Sequence, residues 1–460
     1  MNKASLWLGT GHWPLTTRSA VLATRHSPLI TTMRLLLITL LALTAAQAEL
    51  RTMTLREAVA VALKQNPDLL VARFDQARAR YGVQIARDPF TPKVIGGSGA
   101  AWTSGYPVSI NGQPPSVFQA QTIMSLYNRP QSFKVAQARE NVRGADIELS
   151  RQQDDVAYRV ASMWLDSQQY AEALEIAHRS VDSLRALHES AEARVTEGRS
   201  LPLDAKRAAL DLARAEQRSE ALSADLDDSE AALAVVLGYN SDDRVRAARE
   251  DRVKADVQAS EQTAVDHAVA NSKEIRVLES RLQAKELELK EYKNARWPVV
   301  DLVAQYNLFA QYNYRDYFGG RFQRNNGTVG ASITLPLLVG SATRAYLSQT
   351  ESDIAKIHAQ LTQLRGRISI DARKSFTNVR KAETARTVAR LDLDVAREQV
   401  NVFLAQQSEG RASLKDVEGA RIAESDKWIA FYDAEHTLDR VKLNLLRETG
   451  TLVTALMSDR

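Results

Sequence analysis

The sequence predicts an α+β fold made of two like halves, each joining a pair of β-strands to very long α-helices. Three observations predict it. The chain repeats itself once, the stretch from Pro130 to Pro202 holds no intervening proline, and several segments alternate apolar with polar side chains.

The repeat sets the organisation. Glu197-Gly198-Arg199 recurs as Glu409-Gly410-Arg411, and the same offset of 212 carries Asp204 to Asp416 and Gly238 to Gly450. An offset of 206 matches Pro92 and Val94 to Pro298 and Val300, and Ala58-Val59 and Ala62 to Ala264-Val265 and Ala268. Between these blocks, Ala120 and Leu126 fall on Ala331 and Leu337, 211 positions on. Ordered matches along a whole half indicate duplication. The offset drifts by a few residues only, as loop insertions would make it. The halves are expected to span residues 49–258 and 259–460.

Each half has the same order of elements. A helical stretch (Thr54–Arg87, then Ala259–Ala295) runs toward a proline, two extended segments follow, and then a very long helix, a Gly break and a returning helix. Between Pro130 and Pro202 the only glycines are Gly144 and Gly198. A helix filling that stretch is on the order of 100 Å long at about 1.5 Å per residue. Its apolar positions follow a 3–4 spacing: Val135, Ala138, Val142, Ala145, Leu149, Gln152 and Val156. A second stripe runs Leu212, Ala215, Ser219, Leu222, Leu226, Ser229, Leu233 and Val236, and the repeat places Phe431, Ala434, Leu438, Val441 and Leu445 on its counterpart. Sustained spacing of this kind predicts coiled-coil packing. Ala and Ser at many seam positions let the helices approach closely.

The extended segments read as strands with two chemically different faces. From Asp301 to Tyr314, Leu302, Ala304, Tyr306, Leu308, Ala310, Tyr312 and Tyr314 share one side, and Asp301, Gln305, Asn307, Gln311 and Asn313 the other, with Val303 and Phe309 as exceptions. Val329, Ala331, Ile333, Leu335 and Leu337 oppose Gly330, Ser332 and Thr334. In the first half, Phe118, Ala120, Thr122, Met124 and Leu126 oppose Gln119, Gln121 and Ser125, while the Gly-rich Val94–Trp102 is the weakest of the four. Apolar outside and amide-rich inside is the pattern of a barrel strand between lipid and water. Turns are expected at Asn111-Gly112 and Asn326-Gly327. Trp102, Tyr106, Trp297, Tyr314, Tyr317 and Phe318 cluster near strand ends, where aromatic girdles form. Four strands do not close a barrel, for which about eight is the practical minimum. The chain must therefore associate, giving eight strands from two copies or twelve from three.

Composition narrows the function. Lys and Arg (60) nearly balance Asp and Glu (56), which leaves no basic excess for nucleic acid. No cysteine occurs, which removes thiolate metal sites, disulfides and a lipid-bearing N-terminal Cys. Met33-Arg34, the apolar Leu35–Leu43 and Ala46-Gln47-Ala48 form a secretory signal cut after Ala48, so residues 1–48 are set apart as extension and signal peptide. That apolar run is too short to span a bilayer. Any membrane insertion then falls to a β-barrel. Nothing nominates a catalytic, cofactor or metal residue. The seven histidines are scattered and Gly96-Gly97-Ser98-Gly99 sits in an expected strand with no helix after it.

The residues carry a family likeness. Thr54-Leu-Arg-Glu-Ala-Val-Ala-Val-Ala-Leu-Lys-Gln-Asn-Pro67 resembles the opening helix of the TolC-like outer-membrane efflux proteins. Gly198–Ala208 and Gly410–Ala420 are similar to that family's helical tips, and Val329–Gly340 to the strand that runs into its second long helix. The likeness covers residues 52–450. It implies a homotrimer with a twelve-stranded barrel in the outer-membrane lipid, continued by a periplasmic α-helical coiled-coil barrel closed at its inner end. It also implies the function, an exit duct of tripartite efflux or type I secretion systems. The implied partners are a periplasmic adaptor and an inner-membrane transporter, with no cofactor. Two departures stand out: Gly340-Ser341 replaces the usual Gly-Gly, and the lipid-bearing Cys of many relatives is absent.

Two kinds of site follow. Asp204 and Asp416 open the returning helices, where a ring of carboxylates would favour cations at a narrow mouth. The plainer role is to meet the exposed N–H groups of a helix start. Relatives carry a second carboxylate where this chain has Gly419. Gly198, Arg199, Gly410 and Arg411 are the candidates for tip contacts and adaptor docking. The alternative class is a soluble periplasmic coiled-coil scaffold, which differs in having no lipid-facing strands.

Overall fold

The computed structural model describes residues 50–99, 116–248, 260–309, 323–338 and 340–457. The signal segment, the Asn111-Gly112 turn, and Trp102, Tyr106, Tyr314, Tyr317 and Phe318 lie outside these residues. So does the expected strand beyond Phe309.

In the first half, β1 (Leu50–Met53) leads to α1 (Leu55–Gln65) and α2 (Pro67–Arg87). Then come β2 (Lys93–Gly97), β3 (Ser116–Asn128), α3 (Arg129–Thr196), α4 (Pro202–Leu237) and β4 (Arg244–Ala247). The second half has α5 (Glu261–Asn271), α6 (Lys273–Lys293), β5 (Val299–Phe309), β6 (Asn325–Thr334), α7 (Ser341–Ser408), α8 (Leu414–Glu448) and the short α9 (Leu452–Met457). α1 and α5 are each 11 residues long, and α2 and α6 are each 21. The long helices α3 and α7 are each 68 residues, about 100 Å at the standard rise.

The opening helical stretch is two helices rather than one. The break falls at Asn66, whose side chain accepts from the N–H groups of Asp68 and Leu69 while Pro67 takes the first helical position. A residue before proline is pushed out of the helical region, and an Asn cap meets the donors that the new helix exposes. Ser272 makes the equivalent break, accepting from the N–H of Ile275. Upstream, Thr54 and Glu57 form a reciprocal capping box that starts α1.

The main core lies where α1, α3, α4 and the β1–β4 pair meet. Val59, Ala62, Val156, Val160, Leu233, Leu237, Val245 and Leu452 are fully buried there. Each large aliphatic side chain contributes roughly 1.5–3 kcal/mol by leaving water. β1 and β4 pair in parallel, and Trp164 donates its indole N–H to the Met53 carbonyl at 3.0 Å. This small element was not expected from the sequence. Farther along, Val265, Ala268 and Ile275 pack on Ile357, Leu361 and Ile368 of α7. Leu438 and Leu445 of α8 pack on Phe376 and Val379 of α7, as their 3–4 spacing predicts.

β2, β3, β5 and β6 form one antiparallel sheet in that order. Its register gathers the amides on one face, which Ile95, Ile123 and Val303 share. Gln121–Gln305–Thr328 and Gln119–Asn307–Asn326 cross three strands on one face, and Thr122–Ala304–Val329 and Met124–Leu302–Ala331 do so on the other. Ser125 donates to Asp301 at 2.6 Å within the polar face. Asn326-Gly327 does not form the expected turn. It continues β6, with Asn326 opposite Asn307 and Gly327 opposite Tyr306. Pairing with β5 outweighs the local turn preference, and the Tyr306 hydroxyl donates to Asn325 at 3.1 Å. β6 ends at Thr334, ahead of Pro336, which has no N–H to give the ladder. Of the expected aromatic girdle only Trp297 is described, and the Arg129 guanidinium lies 4.3 Å from the centre of its ring.

Candidate functional site: helical turns and open sheet edges

The two long helices end alike. Gly198 follows α3 at φ +71° and Gly410 follows α7 at φ +74°. Left-handed backbone suits glycine, which has no Cβ to clash. In each turn the residue after the glycine reaches back, with the Arg199 N–H on the Arg194 carbonyl at 2.8 Å and the Arg411 N–H on Gln406 at 2.8 Å. These bonds meet carbonyls that a helix end leaves bare. The arginine side chains stay within their own turns. Arg199 lies 3.1 Å from Glu197, and Arg411 pairs with Glu409.

Asp204 and Asp416 each occupy the third position of the returning helix. Their surroundings differ. Asp416 closes a capping box: its carboxylate accepts from the Ser413 N–H at 2.9 Å and the Ser413 hydroxyl at 2.6 Å. Those bonds, the hydroxyl's first, hold the exposed Asp416 carboxyl below the usual carboxylate range. In the first turn Leu201 stands at the cap and supplies no side-chain bond. Leu201 and Leu203 are exposed there, so this turn presents leucines where the other presents a hydroxyl. Farther into both helices, Ala208 and Ala420 are buried and keep the neighbouring helices close.

Contacts between α3 and α8 place the two turns at one end. Along α3, Asp166, Gln169 and Ser183 meet Arg440, Asp433 and Glu418 of α8 in reverse order. α3 and α8 are therefore antiparallel, and the end of α3 lies beside the start of α8. The sheet lies at the other ends of the long helices, since β3 runs directly into α3. Its edges β2 and β6 have no partner strand among the described residues. Val94, Ile95, Val329 and Ile333 on those edges are exposed.

The α3–α8 seam holds groups that no local motif announces. His436 is 1% exposed, and its Nε2 lies 3.3 Å from the Glu172 carboxylate. Across the contact of α3 with α6, Lys273 pairs with the buried Asp154 at 2.6 Å and donates to the Ser150 carbonyl at 3.0 Å. Burial pushes the Asp154 carboxyl up, against the lowering effect of Lys273. Among the described residues, no three acidic or histidine side chains gather where they could hold a metal ion. No described helix is long and apolar enough to cross a membrane.

Paired long helices that turn back at one end, with an amphipathic sheet at the other, define the fold of outer-membrane channels. A membrane protein from Pseudomonas aeruginosa shares it at a TM-score of 0.70 and 16% identity, over 86% of this chain and 90% of that one. VceC of Vibrio cholerae, an outer membrane protein, matches at 0.68 and 16%, over 86% and 96%. The open-state outer membrane channel MtrE of Neisseria gonorrhoeae matches at 0.67 and 14%, over 88% and 91%. The model of the outer membrane efflux protein family matches residues 58–239 and 264–451, and this chain belongs to that family. No curated protein matches it in sequence.

Proposed function

We propose that this chain is one of three identical protomers of an outer-membrane exit duct serving a tripartite efflux or type I secretion system. The carrying observation is the sheet. It has four strands, one face that gathers the amides, an opposite apolar face and, among the described residues, two open edges. An isolated sheet of this kind leaves ladder groups bare, whereas copies joined edge to edge cover them and put amides toward water and aliphatic groups toward lipid. Three copies give twelve strands.

Family membership supports the efflux role. The equal lengths of α3 and α7 support two repeats, within residues 49–258 and 259–460. The 68-residue helices continue the barrel as a coiled-coil tunnel on the periplasmic side, with the turns as its inner mouth. A periplasmic adaptor docks at Gly198-Arg199 and Gly410-Arg411 and links the duct to an inner-membrane transporter. The transporter selects the cargo and the duct passes it without chemistry. Asp204 and Asp416 line the mouth.

Fractionation followed by light scattering in mild detergent tests this reading. The expected result is an outer-membrane protein with the mass of three chains. A soluble periplasmic product would restore the scaffold alternative.

A further inference from the structure

The sheet joins the helices at four places: α2 to β2, β3 to α3, α6 to β5 and β6 to α7. All four lie at the end of the molecule away from the helical turns. Over a short stretch of chain each one changes from apolar to cationic. Val94 is followed back to Arg87, Leu126 and Tyr127 on to Arg129, Val300 back to Arg296, and Leu337 and Leu338 on to Arg344. Leu335 and Leu337 continue the alternation of Val329, Ala331 and Ile333 beyond the end of β6. Leu337 is 80% exposed and Leu338 93%, so apolar surface reaches almost to the first turn of α7.

The charge just below that surface is one-sided. Residues 87–93, 127–134, 290–297 and 335–344 hold eight Lys and Arg against two carboxylates, an excess of six. The whole chain carries only +4, so the rest of the sequence is acidic on balance. Both carboxylates are already taken, Asp88 by Lys93 and Glu291 by Lys134 at 3.1 Å. Lys293 reaches Glu351 at 3.9 Å, and Arg129 lies over the Trp297 ring. That leaves Arg87, Lys290, Arg296 and Arg344, which are exposed and have no carboxylate partner among the described residues.

We infer that this collar binds the headgroups of anionic phospholipids in the leaflet nearest the helices. Long cationic side chains at an apolar boundary keep their stems along the apolar surface and put the charge at headgroup level. A guanidinium matches the paired oxygens of a phosphate. Tyr127 and Trp297, both exposed at the same level, are the residue types that settle at a membrane–water interface. A zwitterionic headgroup answers its own phosphate with an ammonium, whereas an anionic one leaves the phosphate charge for the collar. The inference rests on the reading of the sheet as inserted in a bilayer and adds the lipid class.

Native mass spectrometry of the detergent-solubilised protein, offered equal amounts of phosphatidylglycerol and phosphatidylethanolamine, tests it. The protein is expected to retain at least about tenfold more phosphatidylglycerol, and the preference should shrink as salt is added. Arg87→Gln with Lys290→Gln, Arg296→Gln and Arg344→Gln should bring the two lipids close to parity in an oligomer of unchanged mass. Arg87→Lys with Arg296→Lys and Arg344→Lys keeps the charge and should keep the preference, and so should Arg324→Gln at the far end of the sheet. Equal uptake of both lipids by the unaltered protein overturns the inference. So does a preference that survives the four glutamines, one lost in the lysine variant, or one that an equal concentration of inorganic phosphate abolishes. Each of these leaves the channel reading intact. A protein that takes up neither lipid and fractionates as soluble overturns both.

Discussion

Asn66 donates from its side-chain amide to the carbonyl of Val236 at 2.7 Å, and so ties the start of α2 to the end of α4. The chain can pass so close only because Gly238 follows. Its φ is +90°, and a Cβ there would lie 2.9 Å from the Gln65 carbonyl oxygen. The second half has the same joint in looser form, with Asn271 donating to Thr449 at 3.3 Å beside Gly450.

Gly238→Ala is therefore expected to destabilise by about 2–4 kcal/mol, from left-handed backbone and overpacking together. Gly198→Ala has the same backbone sign but open space around it, so about 1–2 kcal/mol is expected. Thermal unfolding followed by circular dichroism should rank the two in that order. Equal losses would contradict the close approach.

Lys273→Met leaves Asp154 buried without its cation, at an expected cost of about 3–5 kcal/mol. Asp154→Leu with Lys273→Met should recover most of that, because no charge then remains in the core. A double variant as unstable as the single one would show that the pair itself, rather than the stranded carboxylate, sets the cost.

Ser413→Ala removes the hydroxyl that holds the Asp416 carboxyl low. The folded-state pKa is depressed, so the box stabilises the turn above the unfolded carboxylate value and is lost as pH falls through the folded one. The Asp416 titration measured by NMR is expected to move up in the variant, toward the ordinary carboxylate range. An unmoved titration would assign the shift to another cause.

Asp204→Ala with Asp416→Ala is expected to lower cation preference in planar-bilayer conductance while the oligomer stays assembled. Unchanged selectivity would leave both aspartates as helix-start groups. A bulky residue at Gly410 should impair adaptor-dependent export, read as loss of cargo outside the cell.

N-terminal sequencing of the exported protein is expected to find Glu49 first, after the Ala46-Gln47-Ala48 signature. A product that begins upstream of Met33 would rule the signal reading out.

Much of this was legible because it is local. The 3–4 spacing of Leu226 and Leu233 marks a buried helix face, Gly198 and Gly410 mark turns, and Gln119 and Gln121 mark the polar side of β3. What stayed hidden depends on partners far away in sequence. Trp164 finds the carbonyl of Met53, and His436 finds Glu172 across the two halves. Neither contact leaves a spacing signal. The inequality of the two tips was readable, since Ser413 and Asp416 have capping spacing whereas Leu201 cannot cap. The Asn326-Gly327 dipeptide misled because cross-strand pairing decided its conformation.

The sheet draws its strands from both halves: β3 pairs with β2 on one side and with β5, far along the sequence, on the other. That order governs how the protein must be made. While the chain emerges from its export pore, β3 has no β5 to pair with until the second half has followed it out. The long helices close their hydrogen bonds locally and need no such wait, so they form ahead of the strands. The half-exported chain thus shows an apolar strand face to water for as long as translocation lasts. An escort that binds unfolded strands would be needed most in that interval, before a lipid bilayer or a sister chain can take its place.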